Sequence, residues 1–176
     1  NITDLVVGSL GSHTLSIILA NGDGTFKEAN VVKVGRFPHY RAYGDWNGDG
    51  HVDAAVAVAG EESVEVLLGN GMGDLKPLAR YDSGVNPHGL TSEDFNQDGE
   101  LDLAVSNRTS GGIAIFLGDG SGTFQKTHSV ITEHDGITLS HGDFDKDGII
   151  DLALVSASSH SLIFYKGDGK GNFHPW

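Results

Sequence analysis

The chain has no cysteine, so neither a disulfide framework nor a thiolate metal site is open to it. It has few basic residues: 11 Lys and Arg against 24 Asp and Glu, a formal charge of −13, with the cations scattered. That composition argues against a basic groove for nucleic acid. No apolar run approaches the roughly 20 residues of a membrane-spanning helix. Gly-x-Ser-x-Gly, P-loop, dinucleotide-binding and His-Glu-x-x-His spellings are all missing, and no helical pairing of histidines is seen. The chain is therefore expected to be no enzyme in itself, with no nucleic-acid partner and no membrane span. Whatever holds it together must be something other than disulfides.

What it has instead is an acidic, glycine-containing loop spelled three times. The copies start at Asp45, Asp94 and Asp143, each 49 residues after the last. The first offers Asp45, Asn47, Asp49 and Asp53, the second Asp94, Asn96, Asp98 and Asp102, and the third Asp143, Asp145, Asp147 and Asp151. Calcium takes six to eight hard oxygen ligands in flexible geometry. Side-chain oxygens at loop positions 1, 3, 5 and 9 supply most of that set. Position 7 would add its backbone carbonyl, which explains why His51, Glu100 and Ile149 need share no side-chain chemistry. Glycine at position 6 (Gly50, Gly99, Gly148) permits the sharp turn. Asp4 lies 49 residues before Asp53, so a fourth site is truncated near the N-terminus. Asp, Asn and Gly also make ordinary turns. Three copies with oxygen donors at fixed offsets favour metal, and oxygen donors favour calcium over zinc or copper.

The loop opens like an EF-hand but lacks its glutamate at position 12, where Val56, Val105 and Leu154 stand. The apolar, β-branched runs after it read as strands. A second landmark keeps the same period: glycine turns begin at Asn21, Asn70, Asp119 and Asp168, each preceded by a strand-like run. One period then reads as four strands, for example near His39–Tyr43, Ala54–Val58, Val64–Leu68 and, in the first copy, Phe26–Lys33. Four short antiparallel strands per repeat is the pattern of a propeller blade, which must stack on its neighbours to bury both faces. The repeats are placed at about 1–38 (partial), 39–87, 88–136 and 137–176 (partial).

These residues carry a resemblance. Gly44 to Gly50 with Asp53, Glu93 to Gly99 with Asp102, Gly142 to Gly148 with Asp151, and the turn Leu117 to Phe124 resemble the FG-GAP/VCBS repeat family, calcium-loop propeller repeats also found in integrin α-subunit heads. Glu93 departs from the glycine of the other two copies. The resemblance covers essentially the whole chain. It implies an all-β propeller of about seven blades, roughly twice this chain. The expectation is thus a segment of a longer protein, a unit that completes its blades with another copy, or an open array. It also implies that the acidic loops and glycine turns share one face, and that the connections on the opposite face carry ligand contacts. Arg36, Phe37, His39, Tyr40, His88 and Arg108 are the candidates there. His39 and His88 are equivalent residues of adjacent repeats, but Ile137 breaks the series, and a turn role is favoured over a metal site.

Calcium at millimolar level is extracellular, so secretion or the cell surface is expected. Asn1 and Asn107 begin glycosylation sequons, and Asn107 is expected to be exposed in a connection between strands. The reading is a calcium-stabilised extracellular repeat domain for adhesion or binding of a protein or glycan. The alternatives are a structural subunit of an extracellular filament or matrix built from further copies of the chain, and an accessory domain of a secreted enzyme.

Overall fold

The computed structural model describes residues 3–109, 111–132 and 134–176, without the side chain of His128. Asn1 lies outside the described residues. Strands β1 (Leu5–Ser9), β2 (Thr14–Ile18) and β3 (Asn30–Lys33) form a three-stranded sheet. β4 (Pro38–Gly44), β5 (Asp53–Val58), β6 (Ser63–Gly69) and β7 (Leu75–Asp82) form the second sheet. β8 (Pro87–Glu93), β9 (Asp102–Asn107), β10 (Ile113–Gly118) and β11 (Phe124–Val130) form the third. β12 (Gly136–Gly142), β13 (Asp151–Ser156), β14 (Ser161–Gly167) and β15 (Phe173–Pro175) form the fourth. Every sheet is an antiparallel meander in chain order, as the four-strand reading of the repeat requires. Among the described residues no helix is long and apolar enough to cross a membrane.

The period of two along each strand sends alternate side chains into different cores. In the second sheet Val56, Val58 and Leu67 face the first sheet, packing on Leu15, Ile17 and Val34. Ala55, Ala57, Val64 and Val66 face the third sheet and meet Leu103, Val105, Ala114 and Phe116. Ala104, Ile113 and Ile115 of the third sheet face the fourth, where Leu139, Leu152 and Leu154 wait. This is why β5 and β9 are buried along their whole length and carry small or branched apolar residues rather than an apolar–polar alternation. The sheets stack face to face, propeller-like, with β8 packed between β4 and β12.

The stack leaves two outer faces open. Leu5, Val7 and Val31 are exposed on the first sheet, and Phe144, Val155, Leu162 and Phe164 on the fourth. A cavity of about 800 Å³ opens beside β1, lined by Asp4, Leu5, Tyr43 and Asp53 among others. It lies where the first sheet has no counterpart of β4, β8 and β12 among the described residues.

Three expectations are corrected. The fourth strand of the first repeat is shorter than Phe26–Lys33: only Asn30–Lys33 is strand, preceded by an isolated bridge between Ala20 and Phe26. Phe26 is 48% exposed, whereas its equivalent Phe124 is buried against the ring of Trp46. Phe26 has no such aromatic to pack on among the described residues. His39, Tyr40 and His88 do not lie in free connections. They sit in irregularities of pairing near the start of β4 and β8, between Pro38 and Arg41 and between Pro87 and Leu90. Asn107 is not exposed: it ends β9 at 2% exposure, and its Nδ2 donates to the Ser83 carbonyl at 2.9 Å. The amide that would carry a glycan is used inside the protein.

Candidate metal centres

Each acidic loop joins the first and second strands of a sheet, and its backbone is drawn around the first aspartate. In the first loop Asp45 accepts from the N–H of Asp49 and Gly50 at 3.1 and 2.8 Å, while Asn47 and Asp49 accept from Asp49 and His51. The second loop repeats the arrangement with Asp94, Asn96 and Asp98, and the third with Asp143, Asp145 and Asp147. Gly50, Gly99 and Gly148 take φ of 82°, 93° and 85°, the left-handed conformation that glycine adopts without a Cβ clash. The donor residues at positions 1, 3 and 5 are half-buried or exposed, with their oxygens held on a fixed frame.

The ninth residue differs from the rest. Asp53, Asp102 and Asp151 are all fully buried. Each splits its two oxygens between backbone donors: Asp102 accepts from Phe95 N at 2.9 Å and from Gly118 N at 2.8 Å. Asp53 does the same with Trp46 and Gly69, and Asp151 with Phe144 and Gly167. Asp4 accepts from Ala20 N in the equivalent place of the first sheet. The ninth aspartate therefore ties its loop to the end of the third strand, in addition to facing the acidic cluster. Burial raises the pKa of Asp102 to about 6, against its two backbone donors and with the nearby Asp98 and Asp94 adding to the rise. Burial raises Asp53 in the same way.

The donor set fits a hard divalent cation. It is all oxygen, and a buried carboxylate whose charge is penalised by burial stands against two or three further carboxylates. In the third loop Asp143, Asp145 and Asp151 bring one oxygen each within 4.8 Å of one another. The side chains at position 7 do other work. Those of His51 and Glu100 lie over Gly71 and Gly120, where an added Cβ would come within 2.5 and 2.7 Å of them. Glu93, the departure from glycine, turns its carboxylate to His141 Nε2 at 3.4 Å on β12.

Sequence reading missed the aromatic at position 2. Trp46 and Phe95 are buried and reach into the next sheet, and their carbonyls accept from Gly122 N and Gly171 N of that sheet's glycine turn. The signal was present as Trp, Phe and Phe in the three copies.

On the opposite face, His39 stacks on His88 with ring centroids 4.2 Å apart, and Tyr40 leans on the same ring at 5.6 Å. His88 Nδ1–H donates to the carbonyl of Ile137, 2.7 Å away, so three inner strands are linked. Burial, then the neighbouring His88 and Arg108, lower the pKa of His39. Arg36 is tied to the Gly60 carbonyl, and Phe37 is held by His13. The structure thus groups His39, Tyr40 and His88, leaves Arg108 exposed nearby, and places Arg36 and Phe37 against the Ala59–Glu61 turn.

Comparison with known proteins places this geometry. A protein from Lactobacillus plantarum superposes with TM-score 0.80 at 18% identity, covering 99% of this chain and 51% of its own. A provisionally assigned 6-phosphogluconolactonase from Bacteroides fragilis gives 0.77 at 18% identity, with 98% and 50% covered. A lectin from Agrocybe aegerita, solved for its recognition of non-reducing terminal N-acetylglucosamine, gives 0.60 at 24%, with 98% and 47% covered. The chain spans about half the length of these structures, and the likeness is one of fold. No curated protein matches the chain by sequence. The FG-GAP-like repeat matches it three times, over residues 1–56, 45–105 and 94–154. The chain belongs to the FG-GAP-like repeat family.

Proposed function

We propose that the chain is a calcium-stapled extracellular repeat domain that binds a protein or glycan on the face opposite its acidic loops. The observation that carries the calcium reading is the same hydrogen-bonded frame, built three times beside a buried carboxylate. Asp45, Asn47, Asp49, Asp53 and the His51 carbonyl would hold the first ion. Asp94, Asn96, Asp98, Asp102 and the Glu100 carbonyl would hold the second, and Asp143, Asp145, Asp147, Asp151 and the Ile149 carbonyl the third. Bound calcium supplies positive charge among carboxylates that otherwise repel. The frame does the rest, because each ninth aspartate couples its loop to the adjoining strand.

The ligand face is read from what is exposed on it. Tyr40 and Phe37 present apolar area, and His39, His88 and Arg108 present polar groups beside it. The Agrocybe aegerita lectin, which shares the fold, makes glycans the first class to screen. The test is a thermal melt of calcium-stripped protein with and without added calcium, followed by a glycan array on the loaded form. Calcium should raise the melting temperature by several degrees, since a ligand of the native state stabilises it. An unchanged melt sinks the calcium reading. Loss of array binding in Tyr40→Ala is the expected mark of the ligand face.

A second reading, a subunit of a filament or matrix, is favoured by the open apolar faces of the first and fourth sheets. Sedimentation of the calcium-loaded chain separates the two, because a monodisperse monomer excludes self-stacking.

A further inference from the structure

The third acidic loop is not equivalent to the other two. In the first and second loops the residue at position 3 is an asparagine. Its amide nitrogen bridges to position 5: Asn47 Nδ2 donates to Asp49 Oδ2 at 3.0 Å, and Asn96 Nδ2 to Asp98 Oδ2 at 2.7 Å. The third loop has Asp145 there, which has no proton to give at neutral pH. Its partner Asp147 would face a bare carboxylate.

The missing donor comes from another strand. The Lys166 ammonium on β14 contacts Asp145 Oδ2 and lies 3.0 Å from Asp147 Oδ2. It occupies the bridge between positions 3 and 5 that the amide fills in the other loops. In the earlier repeats the residue equivalent to Lys166 is Leu68 or Leu117, whose side chain covers a glycine of the following sheet's turn at Gly122 or Gly171. The two substitutions are thus matched. One adds a carboxylate to the loop, and the other brings a cation to it from 21 residues away. With Lys166 in place the third loop carries the same net side-chain charge at positions 1, 3, 5 and 9 as its siblings: four carboxylates and one ammonium against three carboxylates and an amide. The two carboxylates hold the ammonium pKa well above the usual lysine range.

We infer that Lys166 is a tethered competitor for the third calcium site: a divalent ion enters that loop only as the ammonium leaves. This rests on the reading of the loops as calcium sites. Its consequence is a chain with two similar sites and one weaker site. Lys166 is then a residue that sets affinity and is not itself a metal ligand. Removing it should turn the weakest site into the tightest, because four carboxylates then face the ion in place of three and an amide. The Trp176 ring, 6.0 Å from Nζ, offers the displaced ammonium a second seat.

The experiment is a calorimetric calcium titration of the stripped protein and of Lys166→Leu, the residue the other repeats carry. The wild type should show two sites alike and one weaker by roughly tenfold, the order expected for one close charge screened by bulk water. In Lys166→Leu the third site should tighten by at least that factor. A second readout needs no variant: acylation of Lys166, quantified against Lys170 by mass spectrometry, should be slow without calcium and several-fold faster at saturation. Three equal sites that Lys166→Leu leaves unchanged overturn the inference while the calcium reading stands, and so does Lys166 acylation that ignores bound calcium. Absence of any calcium heat in either protein removes the calcium reading, and this inference with it.

Discussion

The rings of Trp46 and Phe124 meet edge to face, centroids 5.7 Å apart, across the boundary between the second and third sheets. Phe95 and Phe173 repeat the contact at 5.5 Å between the third and fourth. The aromatic thus leaves its own acidic loop and plugs the neighbouring sheet. Because the same loop carries the carboxylates, it joins the acidic cluster to inter-sheet packing. Phe144, third of the series, has no sheet packed over it among the described residues; it turns to Phe164 and is 44% exposed. Phe95→Ala should therefore cost about 3–5 kcal/mol. Phe144→Ala should cost under about 1 kcal/mol, as at an open surface site. Urea unfolding of the two variants checks this, and equal losses would mean that position 2 is not an inter-sheet plug.

Glycine at the end of the third strand is a matter of space. An added Cβ at Gly118 would stand 2.3 Å from the Leu101 carbonyl oxygen, and Gly69 and Gly167 repeat the clash with Val52 and Ile150. That closeness is what lets Gly118 N reach Asp102 Oδ1. Gly118→Ala should be destabilising by about 2 kcal/mol or more, by shifting a backbone that a buried carboxylate holds. Gly11→Ala, with nothing near its Cβ and no left-handed φ, should be neutral or slightly stabilising. Melting temperatures of the pair would decide, and a harmless Gly118→Ala would mean that the strand end can move away from its loop.

The fold was legible because the 49-residue period carries two independent marks, the acidic loop and the glycine turn, and each fixes strand ends on both sides. The repeated acidic loop was legible as a loop between strands for the same reason. What escaped was anything that depends on a neighbour. Trp46 looks like a loop residue until the next sheet supplies Phe124. Asp53 reads as a metal ligand, and only the folded chain shows both its oxygens held by Trp46 N and Gly69 N. Lys166 sits in a strand, and nothing local in its sequence announces that it reaches Asp145. The misplacing of Asn107 has the same root: strand β9 runs two residues further than its apolar pattern, since the buried Asn107 amide finds a partner in another connection.

That partner makes a prediction about the sequon. Asn107 Nδ2 donates to Ser83 O, and an added Cβ on Gly84 would come within 3.0 Å of the Asn107 side chain. A glycan on this nitrogen would require the strand end to open. Protein secreted from a glycosylating eukaryotic host should carry no glycan at Asn107, by mass spectrometry of the intact peptide. Asn107→Ala should cost about 1–3 kcal/mol, since it leaves the Ser83 carbonyl without its donor. A fully occupied site would mean that Asn107 is exposed when the glycan is attached.

The buried ninth aspartates predict a pH dependence whose sign reverses with calcium. Asp102 has its folded pKa raised from 3.8 to about 6, so the folded, calcium-stripped chain holds that proton more tightly than the unfolded chain does. Its contribution to stability is therefore full below about pH 4 and is lost as pH rises to about 6. Asp53 shifts in the same direction. Below that window the sign turns over, because Asp135, held well below the usual carboxylate range by Ser158 and Ser156, loses its stabilising charge as acid is added. Calcium needs the ionised carboxylates, so the loaded protein should gain stability across the window in which the stripped protein loses it. Melting curves from pH 4 to 7, on resin-stripped protein and in millimolar calcium, should diverge as pH rises. Parallel curves would show that the buried carboxylates and the cation are not coupled, and the staple would then have to be sought outside these loops.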